Sequence, residues 1–132
     1  MRSSVLLQAE RKAMLGAAPV YVYQFNRLSP ARDGKLHCPH GSEIPYAFDN
    51  LDKARAIAGD SPQAQVLADK MSAVWVQFAR GGVPYTSDLP HWPAYAPGER
   101  AVMVFDEECA VVLDPDGRGR RAIAELKARQ TA

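Results

Sequence analysis

The sequence predicts an α/β architecture, and three features carry that reading. Val20-Tyr21-Val22-Tyr23-Gln24-Phe25 is a run of β-branched and aromatic residues with almost no polar alternation. Such a strand has both faces covered, which suits the interior of a parallel sheet flanked by helices. A helix signal stands before it across the short link Gly16-Ala17-Ala18-Pro19, so helix, link and strand make half of an α/β crossover unit. A long amphipathic helix then follows between Ser61 and Gly82. One strand needs partners, because a lone strand is not a stable sheet.

The elements follow in chain order. Ser3 or Ser4 is positioned to cap a first helix reaching about Leu15, with Gly16 as its stop. After the strand, Asn26 to Pro45 carries Pro30, Gly34, Pro39, Gly41 and Pro45 and reads as a long loop. It lies at the carboxyl end of the strand, where open α/β sheets place their sites. A short turn of helix is expected through Ile44 to Leu51. In the long helix Ser61 is the N-cap and Pro62 the first residue, where a missing N–H costs nothing. Leu67, Met71, Val74, Trp75 and Phe78 form its apolar stripe, read as core packing, and Gly81-Gly82 ends it. Leu89 to Tyr95 is an irregular segment fixed by Pro90 and Pro93. Ala101–Phe105 and Cys109–Leu113 flank Asp106-Glu107-Glu108 and read as a hairpin. A closing helix is expected over Arg118 to Arg129, with Ile123 and Leu126 as its packing residues.

Composition narrows the class. The chain has 132 residues, 47% hydrophobic and 23% charged, with 16 Lys+Arg against 15 Asp+Glu. It is too apolar for a disordered tail and too neutral for a dedicated nucleic-acid binder. No apolar run approaches the roughly 18 residues of a membrane span. The N-terminal apolar run ends after Leu7, too short for a signal-peptide core, so the cytoplasm is expected if Met1 is the true start. The basic stretch Arg118, Arg120, Arg121, Lys127 and Arg129 reads as a solvated helix face. Cys38 and Cys109 are too sparse for a disulfide scaffold and are expected as free thiols.

Chemistry concentrates in Leu36-His37-Cys38-Pro39-His40-Gly41-Ser42-Glu43-Ile44-Pro45-Tyr46. A metal site is one reading: His37, Cys38 and His40 are competent ligands that His91, Cys109 or Glu43 could complete. The spacing matches no common zinc knuckle. Thiol chemistry is a second, with Cys38 as nucleophile and His40 or His37 as base, although such partners usually come from separate elements. A third makes His40 the base of a serine-hydrolase triad, since buried strand, loop and histidine is the order in which that residue arrives. An imidazole near neutrality takes the serine proton and returns it to the leaving group. From the residues alone, a structural histidine hydrogen-bonded in its loop is favoured over all three.

His40-Gly41-Ser42-Glu43-Ile44-Pro45-Tyr46-Ala47-Phe48 resembles the segment around the catalytic histidine of type B carboxylesterases, the family of cholinesterases and para-nitrobenzyl esterases. Val20–Phe25 resembles the strand leading to that histidine. Leu67-Ala68-Asp69-Lys70-Met71, Trp75, Phe78-Ala79-Arg80-Gly81-Gly82-Val83-Pro84 and Trp92-Pro93-Ala94-Tyr95 resemble the family's C-terminal landmarks, in order and spacing. The likeness runs from about Val20 to Leu113. It implies the C-terminal part of an α/β-hydrolase fold, with residues 1–132 forming an incomplete carboxylesterase domain. It implies His40, and not His37, as the base of a Ser-His-Glu/Asp triad. Gly41 and Glu43 would support the loop, Glu43 through hydrogen bonds of its carboxylate. No cofactor and no metal is implied. Pro39 departs from the small or aromatic residue expected there.

The sequence lacks the Gly-x-Ser-x-Gly nucleophile elbow, the glycine-rich oxyanion loop and the acid's segment. Gly59-Asp60-Ser61-Pro62-Gln63 comes nearest, and Ser61 is better explained as an N-cap. The chain is therefore expected not to hydrolyse esters alone. Its expected partners are an ester substrate in a complete enzyme and the N-terminal part of the esterase, or a second copy of itself. Two rival readings stand beside this one: a non-catalytic association module that pairs its strand with another chain, and a small metal-binding domain.

Overall fold

A computed structural model describes residues 2–130. The expected domain, 1–132, runs past the described residues at both ends. The order is helix α1 (Arg2–Leu15), strand β1 (Tyr23–Phe25), helix α2 (Ile44–Ala47), a 3-10 turn (Leu51–Lys53), helices α3 (Arg55–Ala58) and α4 (Pro62–Gly81), strands β2 (Ala101–Phe105) and β3 (Ala110–Leu113), and helix α5 (Gly117–Gln130). The strands lie in the order β1-β2-β3. β1 and β2 are parallel, with Tyr23 opposite Met103, Gln24 opposite Val104 and Phe25 opposite Phe105. The ladder continues one residue, where Asn26 N donates to Phe105 O at 2.8 Å. Parallel pairing is what the strand's composition predicts.

The chain divides into two compact units. One holds the described residues before Tyr23, Pro93–Val102 and those after Val111. In it Ala9 of α1 packs with Val22, Tyr95 and Val102, and Leu6, Ala13 and Val20 lie against this cluster. Arg100 grips Glu10 Oε1 through Nε at 3.1 Å and Nη2 at 2.6 Å. Arg120 binds both oxygens of Asp114, at 2.8 and 2.9 Å. α1 starts at Arg2, so Ser3 and Ser4 fall within its first turn rather than before it. Gly16 ends it with φ 65° and a hydrogen bond to Ala13 O.

The other unit holds Tyr23–Trp92 and Met103–Val111. Its main helix, α4, starts as expected. Ser61 has extended backbone (φ −70°, ψ 150°) and its side chain accepts from Ala64 N at 3.2 Å. Gly82, left-handed at φ 73°, closes the helix by donating to Phe78 O at 2.8 Å. Leu67, Met71 and Val74 are buried, as are Met103 and Phe105 of β2. Trp75, Trp92 and Phe105 stack about one another with centroids 5.7–6.4 Å apart.

Three expectations need correction. First, full burial on both faces belongs to β2, all five of whose residues are buried, and not to β1. β1 is three residues long, lies at the end of the strand order, and leaves Tyr23 38% exposed. Tyr23 and Phe25 share one face, on which Trp75 and Tyr46 pack, while Gln24 faces away and is half-buried. Second, Ile123 and Leu126 do not pack: they are 41% and 59% exposed. Polar contacts from Asp114 hold the start of α5 instead: its carbonyl accepts Gly117 N and its carboxylate binds Arg120. Phe78 likewise ends the stripe exposed, past the buried part of α4. Third, the helix expected over Ile44 to Leu51 is broken at Asp49, whose φ of 48° is left-handed, so α2 and the 3-10 turn are separate pieces. No sequence signal had marked α3. No helix among the described residues is long and apolar enough to cross a membrane.

Candidate active site

The loop after β1 is built by short-range turns and a few long tethers. Residues 31–36 wind through successive turns with Arg32 and Asp33 at positive φ. Ser29 closes this lobe: its N donates to His37 O at 2.6 Å and its Oγ to Ile57 O at 2.6 Å. The chain then returns to β1, because the Cys38 thiol donates to Phe25 O, at the strand's carboxyl end, at 3.2 Å. Two residues later comes His40.

His40 is exposed on a turn of its own. Ser42 N donates to Pro39 O at 3.1 Å and Ile44 N to Gly41 O at 3.2 Å, closing successive turns around the histidine. Gly41 has φ +82°, and a Cβ there would stand 3.6 Å from Ile44 Cδ1, so the objection to a side chain is backbone strain rather than space. Ser42 is buried, with Oγ 3.6 Å from Cys38 Sγ. Glu43 caps α2 through its main chain. Its carbonyl accepts from Tyr46 N and Ala47 N at 3.1 and 3.0 Å, and its carboxylate makes no capping hydrogen bond. Its charge is felt at Tyr23, whose phenol is pushed above its ordinary pKa by burial first and by Glu43 second.

Behind the turn lies a buried cation that the sequence reading missed. Arg27 is 9% exposed. Its Nε donates to Tyr46 Oη at 3.0 Å, Nη2 to Ser61 Oγ at 3.0 Å, and Nη1 to Glu107 Oε1 at 3.1 Å. Tyr46 Oη in turn donates a hydrogen bond to Ala58 O at 3.1 Å. Burial raises the Tyr46 pKa, with Arg27 pulling it down, so near neutral pH the phenol stays a donor while it accepts from the guanidinium. The available signals were an arginine at the exit of an apolar strand and an acidic triplet, Asp106-Glu107-Glu108, with no basic residue beside it in the sequence.

The other sequence-predicted groups disperse. His37 is exposed at φ 52° and His91 is exposed. Cys38 and Cys109 are both free; Cys109 is half-buried, donates to Asp106 O at 3.6 Å, and burial pushes its thiol above the usual value. Among the described residues no three His, Cys, Asp or Glu side chains converge as a metal site would need. Ser61 Oγ is occupied as an N-cap and as an acceptor from Arg27.

The model of the carboxylesterase family matches residues 3–121. The chain belongs to the carboxylesterase family.

Among curated carboxylesterase relatives, phenmedipham hydrolase of Pseudarthrobacter oxydans is 35% identical over 98 residues, covering 71% of this chain and 20% of that protein. Para-nitrobenzyl esterase of Bacillus subtilis is 30% identical over 112 residues, covering 83% and 22%. Among solved structures, a Geobacillus stearothermophilus carboxylesterase superposes with a TM-score of 0.74 at 36% identity, over 89% of this chain and 24% of that one. The chain thus has the fold of part of an α/β-hydrolase esterase, and it spans about a fifth of the length of the curated relatives it matches.

Proposed function

We propose that this chain is the histidine-bearing, C-terminal part of a serine carboxylic-ester hydrolase, with His40 as the general base of a Ser-His-Glu/Asp triad. The observation that supports it is the tether of Cys38 to the carbonyl of Phe25, which returns the His40 turn to the carboxyl end of β1. That is where α/β sheets gather their reacting groups. In the assembled enzyme serine attacks the ester carbonyl and His40 removes its proton, then delivers it to the departing alcohol. His40 next takes a proton from water as the water oxygen attacks the acyl carbonyl, and gives that proton to the serine oxygen as the acid departs. Gly41 permits the turn, and the main-chain carbonyl of Glu43, rather than the carboxylate the sequence suggests, joins it to the start of α2.

The 132 residues hold no Gly-x-Ser-x-Gly elbow, and the resemblance to carboxylesterases implies that the oxyanion loop and the acid lie outside them. A base without its nucleophile has nothing to activate, so this chain is inactive by itself and works with the nucleophile-bearing part of an esterase. Among the described residues β1 pairs with a strand on one side alone, and its other side is where the sheet of that part would continue. The test has two arms. The chain alone should leave p-nitrophenyl acetate at its uncatalysed rate. Residues 20–113, grafted in place of the matching segment of the Bacillus subtilis para-nitrobenzyl esterase, should give an enzyme that hydrolyses it. Turnover by the chain alone that is lost in His40→Ala contradicts the first arm, and a folded but inactive graft contradicts the second.

A further inference from the structure

We propose that Arg27 is a positioning residue for the His40 turn, holding the helix behind the histidine through the hydroxyl of Tyr46. The inference rests on His40 being the base.

The His40 turn has little of its own to keep it in place. Its internal bonds are short-range, backbone turns and the 3.6 Å contact of Cys38 Sγ with Ser42 Oγ, and Gly41 within it has no side chain to pack. At its leading end stand two bonds, the thiol hydrogen bond from Cys38 to Phe25 O and the backbone bond from Ser29 N to His37 O. At its trailing end stands α2, four residues long. A helix of one turn has no stability of its own, so whatever fixes α2 fixes the turn. Tyr46 is the buried side chain of α2 that makes polar bonds: it accepts from Arg27 Nε and donates to Ala58 O, and its ring lies 5.0 Å from that of Phe25.

The choice of arginine points the same way. Burying a guanidinium is costly, and replacing a buried ion pair as a whole by apolar residues is often neutral or stabilising. A planar fork of donors supplies direction instead. Here Nε, Nη1 and Nη2 each bind a different segment: α2, the 106–109 turn, and the N-cap of α4. Its countercharge, Glu107, is a side chain 68% exposed, so a solvent-facing carboxylate compensates a buried cation. The result is a three-way joint whose α2 arm begins four residues after His40.

The experiment is NMR relaxation on the full chain, comparing it with Arg27→Met, Arg27→Lys, Tyr46→Phe and the double variant Arg27→Met/Tyr46→Phe. Backbone order parameters at Gly41 and Ser42 should fall from rigid values near about 0.85 to below about 0.6 in Arg27→Met and Tyr46→Phe. The His40 Cε1–H resonance should shift with them, while Ala68 and Val74 in α4 keep their order. Lysine keeps the charge but not the fork and should not restore the turn. The double variant should leave Gly41 and Ser42 no less ordered than the worse single one, because both singles remove the bond between Arg27 and Tyr46. Unchanged order at Gly41 and Ser42 in Tyr46→Phe overturns the proposal, as does disorder spread equally through α4. Should Arg27→Met fail to fold, Tyr46→Phe, one oxygen smaller, carries the readout alone. Turnover is not part of this readout. A graft that hydrolyses esters without His40 overturns the catalytic reading and leaves the relaxation result to be judged separately.

Discussion

The Trp75 indole of α4 meets the Tyr23 ring of β1 edge-on, with centroids 5.0 Å apart and planes at 78°. Trp75 also lies 5.7 Å from Phe105 and 6.4 Å from Trp92, so one half-buried side chain joins the long helix to both parallel strands of its unit. Edge-on aromatic pairs contribute beyond the area they bury.

Trp75→Ala should therefore cost about 3 kcal/mol, at the low end of the range for a large aromatic because the ring is only half-buried. Val66→Ala, on the exposed side of the same helix, should stay within about 0.5 kcal/mol. Urea unfolding followed by far-UV circular dichroism separates the two. Equal effects would mean that Trp75 is not the hinge of this core.

Ser61 supports two structures at once, the first turn of α4 and the Arg27 joint. Ser61→Ala should cost about 1–2 kcal/mol, the upper part of that range reflecting the guanidinium N–H left without its acceptor. Ser61→Asp, which restores a cap acceptor and adds a charge beside Arg27, should recover most of the loss. The same urea titration checks both.

Asp114 is held below the usual carboxylate range by its hydrogen bonds from Arg120 first and by the charges of Arg120, Arg100 and Arg121 after that. A depressed pKa means that the pair's stabilisation is complete above the unfolded-state value, about 3.9, and is lost as pH falls through the lower folded value. Both groups are partly exposed, so the effect is well under that of a buried pair. Stability of Asp114→Asn relative to the parent should thus be lower at pH 7 and converge with it near pH 2. A gap that widens on acidification would reverse the sign and refute the assignment.

The two thiols should differ in reactivity. Cys38 is exposed, whereas Cys109 is half-buried with its pKa raised by burial. A disulfide reagent applied to the native chain should modify Cys38 about tenfold faster or more, since exposure and thiolate content both set the rate. Cys38→Ser should remove the fast phase. Survival of that phase would place the reactive thiol at Cys109.

Helix α4 was legible from sequence because local chemistry decides it: a serine cap, a first-turn proline, an apolar stripe and a glycine stop. The hairpin and parallel β1 were legible for a similar reason, since strand composition is local. What was not legible depends on what lies opposite. The burial of Val20–Phe25 was overstated because composition reports a strand's preference and not whether helices cover it. The sequence marks Ile123 and Leu126 as the packing residues of their helix, yet both are exposed. Arg27 escaped notice because its partners are 19, 34 and 80 residues away in sequence, and nothing local marks such a joint. His40 was singled out by its resemblance to carboxylesterases, while the Cys38–Phe25 tether that returns its turn to the strand became visible only in three dimensions.

The central claim is that His40, and not its neighbour His37, is the base. The most direct measurement is kcat/KM for p-nitrophenyl acetate in the graft of residues 20–113 into the Bacillus subtilis para-nitrobenzyl esterase, with His40→Ala and His37→Asn compared. Asparagine is chosen at position 37 because it tolerates the positive φ found there. The account predicts a fall of at least about 10³-fold in His40→Ala, carried by kcat, and a change within about twofold in His37→Asn. Full activity in His40→Ala, or a comparable loss in His37→Asn, would contradict it.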